Sequence, residues 1–202
     1  IAEMTERRRA MFAVTARCLD AAAEAAAESA SGKPLNPAAL ATKHDVDGPA
    51  LAAWLDYLGI GASAPLKLDY FTAQIRKSGN YDFINGWGSN ETPNMVANSS
   101  EQHVRIPGNM KPHAVAVHPS PKLNAAVGWR SPISGSMNIE ARITHAHPEC
   151  GNGVTWSVEL RRGGTRQRLA NGFAQGSKEV KSPPIEKIAI LPGDLVSLLI
   201  GP

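Results

Sequence analysis

The sequence predicts a mainly β protein, an antiparallel β-sandwich of the jelly-roll type, preceded by a short α-helical segment. Two observations predict this fold class. Residues 3–29 are rich in Ala, Glu, Arg and Leu and contain no Gly or Pro, which favours a helix. From residue 81 onward, short apolar–polar alternations are separated by Gly, Pro, Asn and Ser, which is typical of antiparallel strands with one buried face.

Two further helices are predicted after the first. Asn36-Pro37 reads as an N-cap followed by Pro in the first turn, opening a helix that runs to about His44. Asp47 caps a third helix, which Gly59 ends. Its apolar face consists of Leu51, Trp54, Leu55 and Leu58. Because isolated helices of this length are marginal, we expect residues 1–77 to form a helical connector packed on a neighbour.

Residues 78–202 are expected to form the sandwich from about eight strands. The Gly163-Gly164 pair predicts a hairpin between two of them. The clearest strand signals lie at 114–118, 123–129, 137–143, 154–160, 185–190 and 194–200. Strands that alternate and are joined by turns indicate a sandwich or jelly roll and not a parallel sheet.

Composition sets limits on the class of protein. The chain has 202 residues, 43% of them hydrophobic, and a formal net charge of +3, so neither disorder nor nucleic-acid binding is indicated. No apolar run approaches the length of a membrane span. The sequence begins at Ile1 and stops at Pro202 directly after a strand-like run, so we expect a C-terminally incomplete piece of a longer protein.

Sequence motifs for catalysis are lacking. There is no G-x-S-x-G elbow, no P-loop and no G-x-G-x-x-G, and residues 86–90 read as a glycine-rich turn. Cys18 and Cys150 form no CxxC and no CxxCH haem-attachment motif. The sequence therefore predicts a protein that is not an enzyme by itself and holds no cofactor.

The stretch 144–153 concentrates potential metal ligands in one loop. His145, His147 and Cys150 are donors that suit zinc or copper, but their spacing matches no common site and Pro148 restricts their convergence. We therefore predict no metal and keep these three residues as weak candidates for a metal or redox site. The preferred interpretation is a shaped loop in which Cys150 is either buried or paired with a cysteine that lies beyond the end of this sequence.

Four arginines flank the predicted hairpin, and they give the β half a basic edge. The guanidinium fork suits sulfate, carboxylate and phosphate, which points to an anionic polysaccharide. The alternative is a charged surface strand that resists edge-to-edge aggregation. These residues are Arg161, Arg162, Arg166 and Arg168.

Three tryptophans of the β half are candidates for stacking on sugar rings. Trp156 is in phase with Val154 and Val158 and is therefore predicted to be core. Trp129 fits either the core or the rim. Trp87 lies in a glycine-rich segment and is predicted to be the most exposed, so Trp87 and Trp129 join the arginines as the candidate ligand-binding residues.

Several short motifs of the β half resemble a family. They are Val96–Ser100, His103–Gly108, Lys111–His113, Val117–Pro121, Ala126–Pro132, Gly151–Trp156 and Pro192–Ser197. The segment is similar to one found in large planctomycete multi-domain cytochrome c proteins that carry DUF1549 and DUF1553 domains. The similarity covers roughly the C-terminal three-fifths, and the helical arm resembles the connector that precedes it.

The resemblance implies an exported protein, periplasmic or on the cell surface, connected with polysaccharide use. Relatives continue past the equivalent of Pro202, and their further segment bears on any partner of Cys150. Haem c would belong to another domain of the full-length protein. We therefore expect a non-catalytic module that binds a polysaccharide, with sulfated and uronic-acid polymers as the candidates. The alternative is a structural spacer that positions neighbouring cytochrome and catalytic domains.

Overall fold

The computed structural model describes residues 2–31, 33–61, 68–106, 108–163 and 165–202. Three helices come first: α1 (Ala2–Ala30), α2 (Pro37–Lys43) and α3 (Gly48–Tyr57). The predicted caps are confirmed, since the side chain of Asn36 accepts a hydrogen bond from the Ala39 N–H and that of Asp47 accepts one from the Ala50 N–H. Each cap satisfies a backbone donor that the first helical turn leaves free.

The helices share a small apolar core of their own. Small side chains on the C-terminal half of α1 let α2 and α3 approach closely, and Leu51 and Leu55 of α3 are fully buried there. The N-terminal half of α1 extends beyond this cluster. Met11 and Phe12, which belong to the apolar stripe of the sequence, are 60% and 66% exposed. Only part of the stripe is therefore packed.

Fourteen strands occur in the described part of the chain. In order they are β1 (Gln74–Ile75), β2 (Ile84–Gly88), β3 (Asn94–Asn98), β4 (Val104–Ile106), β5 (Gly108–Met110), β6 (Val115–His118), β7 (Ala125–Arg130), β8 (Gly135–Ile139), β9 (Arg142–Ile143), β10 (Val154–Arg162), β11 (Thr165–Ala174), β12 (Val180–Lys181), β13 (Ile185–Ile190) and β14 (Leu195–Gly201).

All strand pairings in the described ranges are antiparallel. One four-stranded sheet has the order β1-β2-β3-β6, and a second has the order β11-β10-β14-β7. Three two-stranded pairs, β12-β9, β13-β8 and β4-β5, complete the structure. The sheets are open, with edge strands at each end. The mainly β class and the helical start are thus confirmed.

Two details differ from the sequence-based expectation. Residues 137–143 do not form one strand, because β8 ends at Ile139 and β9 begins at Arg142 with a different partner strand. Pairing also begins before residue 78, since Gln74 and Ile75 already pair with β2.

The main core lies on one face of the β11-β10-β14-β7 sheet. Trp156, Val158 and Ile200 are buried there, and strands β8, β9, β12 and β13 supply further apolar side chains. Trp156 is 4% exposed, which confirms that it is a core residue. Among the described helices, none combines the length and apolar character needed to cross a bilayer.

Candidate functional site

A β-bulge in the hairpin of β10 and β11 decides which side chains face outward. Near the turn, Glu159 pairs with Arg168, but the register shifts at the next position, so that Val158 pairs with Ala170. Leu169 is the extra residue. Because strand side chains alternate, one inserted residue exchanges the two faces for the rest of β11. The bulge therefore turns Asn171 and Phe173 outward, away from the core.

The outer face of this sheet carries a polar pocket of about 330 Å³. Its floor comes from alternate residues of three neighbouring strands, with hydroxyl, amide and guanidinium groups. The size is at the lower end of the range seen for small-ligand sites. Polar and charged residues along its walls are Asn124, Thr155, Ser157, Glu159, Arg166, Arg168 and Asn171.

Four of these side chains make no hydrogen bond or ion pair to any described residue: Asn124, Thr155, Asn171 and Arg168. Phe173 lies beside them, directly across from Thr155 in the hairpin, and is 51% exposed. A Cβ on Gly153 would lie 2.6 Å from the ring of Phe173, so the ring covers the backbone of that glycine. The exposed ring of Phe173 is outside the lining of the pocket but adjoins Thr155 of its wall.

The end of β14 forms part of the pocket by close backbone approach. A Cβ on Gly201 would lie 2.4 Å from Thr155 Oγ1 and 2.9 Å from Asn124 Oδ1. Only a residue without a side chain leaves both groups where they are. Gly201 therefore sets the separation of two polar groups in the pocket wall.

At the other end of the same face, the charged groups are satisfied within the chain. Glu159, with only 3% of its side chain exposed, accepts a hydrogen bond from Arg161 at 3.1 Å and from Arg166 at 3.4 Å. Arg166 also pairs with Asp56 of α3 at 2.7 Å. The Ser157 hydroxyl completes the set by donating to Glu159. This network ties the helices to the sheet.

The helices cover the edge of β11 through further polar contacts. The backbone N–H of Arg168 donates to the carbonyl of Gly59, so the chain after α3 pairs with this edge strand. A Cβ on Gly59 would lie 2.8 Å from the Cβ of Arg168, which explains why glycine stands there. Ser29 at the end of α1 donates to the amide oxygen of Gln167 at 2.6 Å. An edge strand covered in this way is protected from pairing with other chains.

Arg162 is the most completely bonded of the four arginines. Its guanidinium group binds both carboxylate oxygens of Asp194 and the carbonyls of Ala189 and Ser29. Asp194 also accepts the N–H of Leu191, and its side chain is 3% exposed. The pair fixes the turn before β14 against the end of the hairpin.

The four arginines therefore do not form the exposed basic edge that the sequence predicted. Arg161 is buried, and Arg162 and Arg166 are mostly buried, because each pairs with an acidic side chain of the chain itself. Arg166 and Arg168 both line the pocket, but only Arg168 does so without an acidic partner among the described residues. The predicted set thus divides into three arginines held in ion pairs and one without such a pair in the described structure.

The two predicted tryptophans lie apart from the pocket. Trp87 is on β2 of the other four-stranded sheet and is 42% exposed, so it is exposed as predicted but is not the most exposed of the three tryptophans. Trp129 is on β7 and is 44% exposed, with its side chain on the rim of the core side. Neither residue contributes to the pocket wall.

The 144–153 loop does not assemble a ligand set. No three His, Cys, Asp or Glu side chains come together for a metal within the described ranges, which include His145, His147 and Cys150. His147 instead faces the carboxylate of Glu149 at 3.9 Å, and the guanidinium of Arg105 lies 3.2 Å from the same carboxylate. The pKa of Glu149 is lowered, first by a hydrogen bond from its own backbone N–H and then by the positive charge of Arg105. Cys150 is exposed and unpaired within the described chain, so the alternative that it is buried is wrong.

Sequence reasoning did not identify Asn171, Phe173, Thr155 or Asn124. If side chains alternated regularly from the Gly163 turn onward, Phe173 would face the core. The bulge at Leu169 turns it outward instead. Composition was the one signal in the sequence that indicated these outward positions. Small residues, which fit a face packed against the large Trp156 ring, alternate here with Asn171 and Phe173; they are Ala170, Gly172 and Ala174. A Cβ on Gly172 would lie 2.6 Å from that ring.

No family model, no curated protein and no solved structure matches this chain.

Proposed function

We propose that this chain is a non-catalytic carbohydrate-binding module of the sandwich type, and that the outer-face pocket of the β11-β10-β14-β7 sheet binds its polysaccharide. One observation supports the proposal most strongly. One pocket is lined by four residues whose side chains make no hydrogen bond or ion pair with other described residues: Asn124, Thr155, Asn171 and Arg168. Amide and hydroxyl groups that are free and close together suit the hydroxyl groups of a sugar ring.

Phe173 supplies the apolar part of such a site. Its ring is exposed and lies directly across the hairpin from Thr155 of the pocket wall, so a sugar chain that extends past this wall could place a C–H face on the ring. The ring packs on the backbone of Gly153, and about half of the residue's surface remains exposed to solvent. The residues at this site differ from Trp87 and Trp129, which the sequence favoured.

The resemblance to planctomycete cytochrome c proteins supports this proposal, and on that basis we propose that the module belongs to a larger exported protein. In that setting the module would hold a polysaccharide near other domains of the same polypeptide, at the cell surface or in the periplasm. The haem and any catalytic groups would belong to those domains.

A second candidate is a structural spacer that positions neighbouring domains. The observation that favours it is the docking of the helices on β11 through Asp56, Ser29 and Gly59. A spacer needs this rigidity but no polar pocket, so the unpaired groups favour the binding module.

The test is binding of the purified chain to a panel of neutral, uronic-acid and sulfated glycans by isothermal titration calorimetry. We expect at least one to bind, and Phe173→Ala to weaken binding about tenfold through lost stacking and area. Trp87→Ala is the matched control, because it removes an exposed aromatic ring from the other sheet. Wild-type protein that is folded, monodisperse and binds none of the glycans would favour the spacer.

A further inference from the structure

We infer that the pocket selects an acidic sugar, one that carries a carboxylate or sulfate group, and that Arg168 is the residue that sets this preference. The inference rests on the proposed function and adds the charge class of the ligand. It begins from the contrast between Arg168 and the other arginines of the hairpin.

The other charges near the pocket cancel. Glu159 is held between Arg161 and Arg166, and Arg166 is shared with Asp56. These two carboxylates and two guanidinium groups sum to zero. Glu159 has 3% of its side chain exposed, and both of its oxygens already accept hydrogen bonds. It therefore presents little negative charge to an incoming anion.

Arg168 adds one positive charge that pairs with no acidic side chain among the described residues. Its guanidinium group has no ion-pair or hydrogen-bond partner among the described residues, and it lines the pocket. Its backbone is fixed by the hydrogen bond to Gly59, and its Cβ packs closely on that glycine. The backbone and Cβ of Arg168 are therefore fixed beside the pocket, and the residue as a whole is partly buried.

A guanidinium with free donors favours an anion over a neutral group. Its planar fork can donate two parallel hydrogen bonds to a carboxylate or to two oxygens of a sulfate ester. Asn171, three residues along β11, lies on the same wall and offers an amide to a neighbouring hydroxyl. A uronic acid or a sulfated sugar would satisfy both, whereas a neutral sugar leaves the cation without a counter-charge.

The experiment compares ligands that differ only in charge. Binding of a de-esterified galacturonic-acid oligomer is measured beside its methyl ester, and a sulfated galactan oligomer forms a third arm, each at low and moderate salt. We expect the acidic oligomer to bind about tenfold or more tightly than the ester, because hydrogen bonds between charged groups are the stronger ones. Tight binding of the sulfated arm alone would identify sulfate as the anionic group.

The variant Arg168→Gln should remove this preference, so that the acidic, sulfated and esterified oligomers bind with similar affinity. Arg76→Gln is the matched control, since it deletes the same charge from an exposed position next to the other sheet. Equal binding of acid, sulfate and ester by the wild type, unchanged in Arg168→Gln, would overturn the inference and leave the proposed function standing. Absence of binding to every glycan would instead overturn both.

Discussion

The two ends of the outer face are built from the same hairpin, but they differ in how their polar side chains are satisfied. At the turn end, Arg161 and Arg166 meet Glu159 and Asp56, and α3 covers them. At the open end, the side chains of Asn171, Thr155 and Asn124 make no hydrogen bond to another described residue. Buried charges need partners to be tolerated, whereas free polar groups in a pocket are available to a ligand. The closed end therefore serves stability and the open end recognition.

The largest expected effect comes from breaking the closed end. Arg162→Ala should lower the free energy of unfolding by about 3 kcal/mol, because it leaves the Asp194 carboxylate buried without its counter-charge. Urea denaturation followed by circular dichroism measures the change. Asn171→Ala is the comparison at the open end, where the cost should stay within about 0.5 kcal/mol. Similar losses for the two variants would contradict the division between the ends.

A smaller effect is expected from filling the close approach at the pocket wall. Gly201→Ala places a methyl group against the side chains of Thr155 and Asn124, which must both move. We expect glycan affinity to fall several-fold while the unfolding transition changes little, because both side chains can rotate toward solvent. Gly135→Ala is the control, since nothing lies within 4 Å of a Cβ at that position. Unchanged affinity in Gly201→Ala would show that these two groups do not contact the ligand.

The smallest effect concerns the helices that cover the closed end. Two side-chain hydrogen bonds hold the pKa of Glu24 below its ordinary value of 4.5; the one from Lys43 has the larger effect and the one from His44 the smaller. A carboxyl with a lowered folded-state pKa adds stability that is present above pH 4.5 and is lost as the pH falls through the folded-state value. Glu24→Gln should therefore be slightly less stable than the wild type at pH 6, and the gap should close in acid. Thermal melts at both pH values test this, and a constant gap would contradict it.

Local signals in the sequence were sufficient for the helices. Asn36-Pro37 and Asp47 start α2 and α3 as expected, because a cap depends only on residues three positions away. The alternation at 154–160 likewise predicted a strand and the burial of Trp156. Such features need no knowledge of distant contacts.

The candidate site could not be predicted in the same way. Arg162 meets Asp194 across 32 positions and Arg166 meets Asp56 across 110, so no local pattern reveals that these arginines are already paired. The pocket depends on a single inserted residue, Leu169, that reverses the faces of β11. A one-residue shift in register is invisible to alternation but exchanges every side chain between the two faces.

The most direct test of the account is an NMR titration of the ¹⁵N-labelled chain with the glycan that binds best in the panel. The account predicts shifts at the backbone amides of Asn171 and Phe173 and at the Arg168 Nε–H, with the indole N–H signals of Trp87 and Trp129 unmoved. Shifts centred on Trp87 or Trp129, with Asn171 and Phe173 unaffected, would contradict the assignment of the binding site to the outer-face pocket.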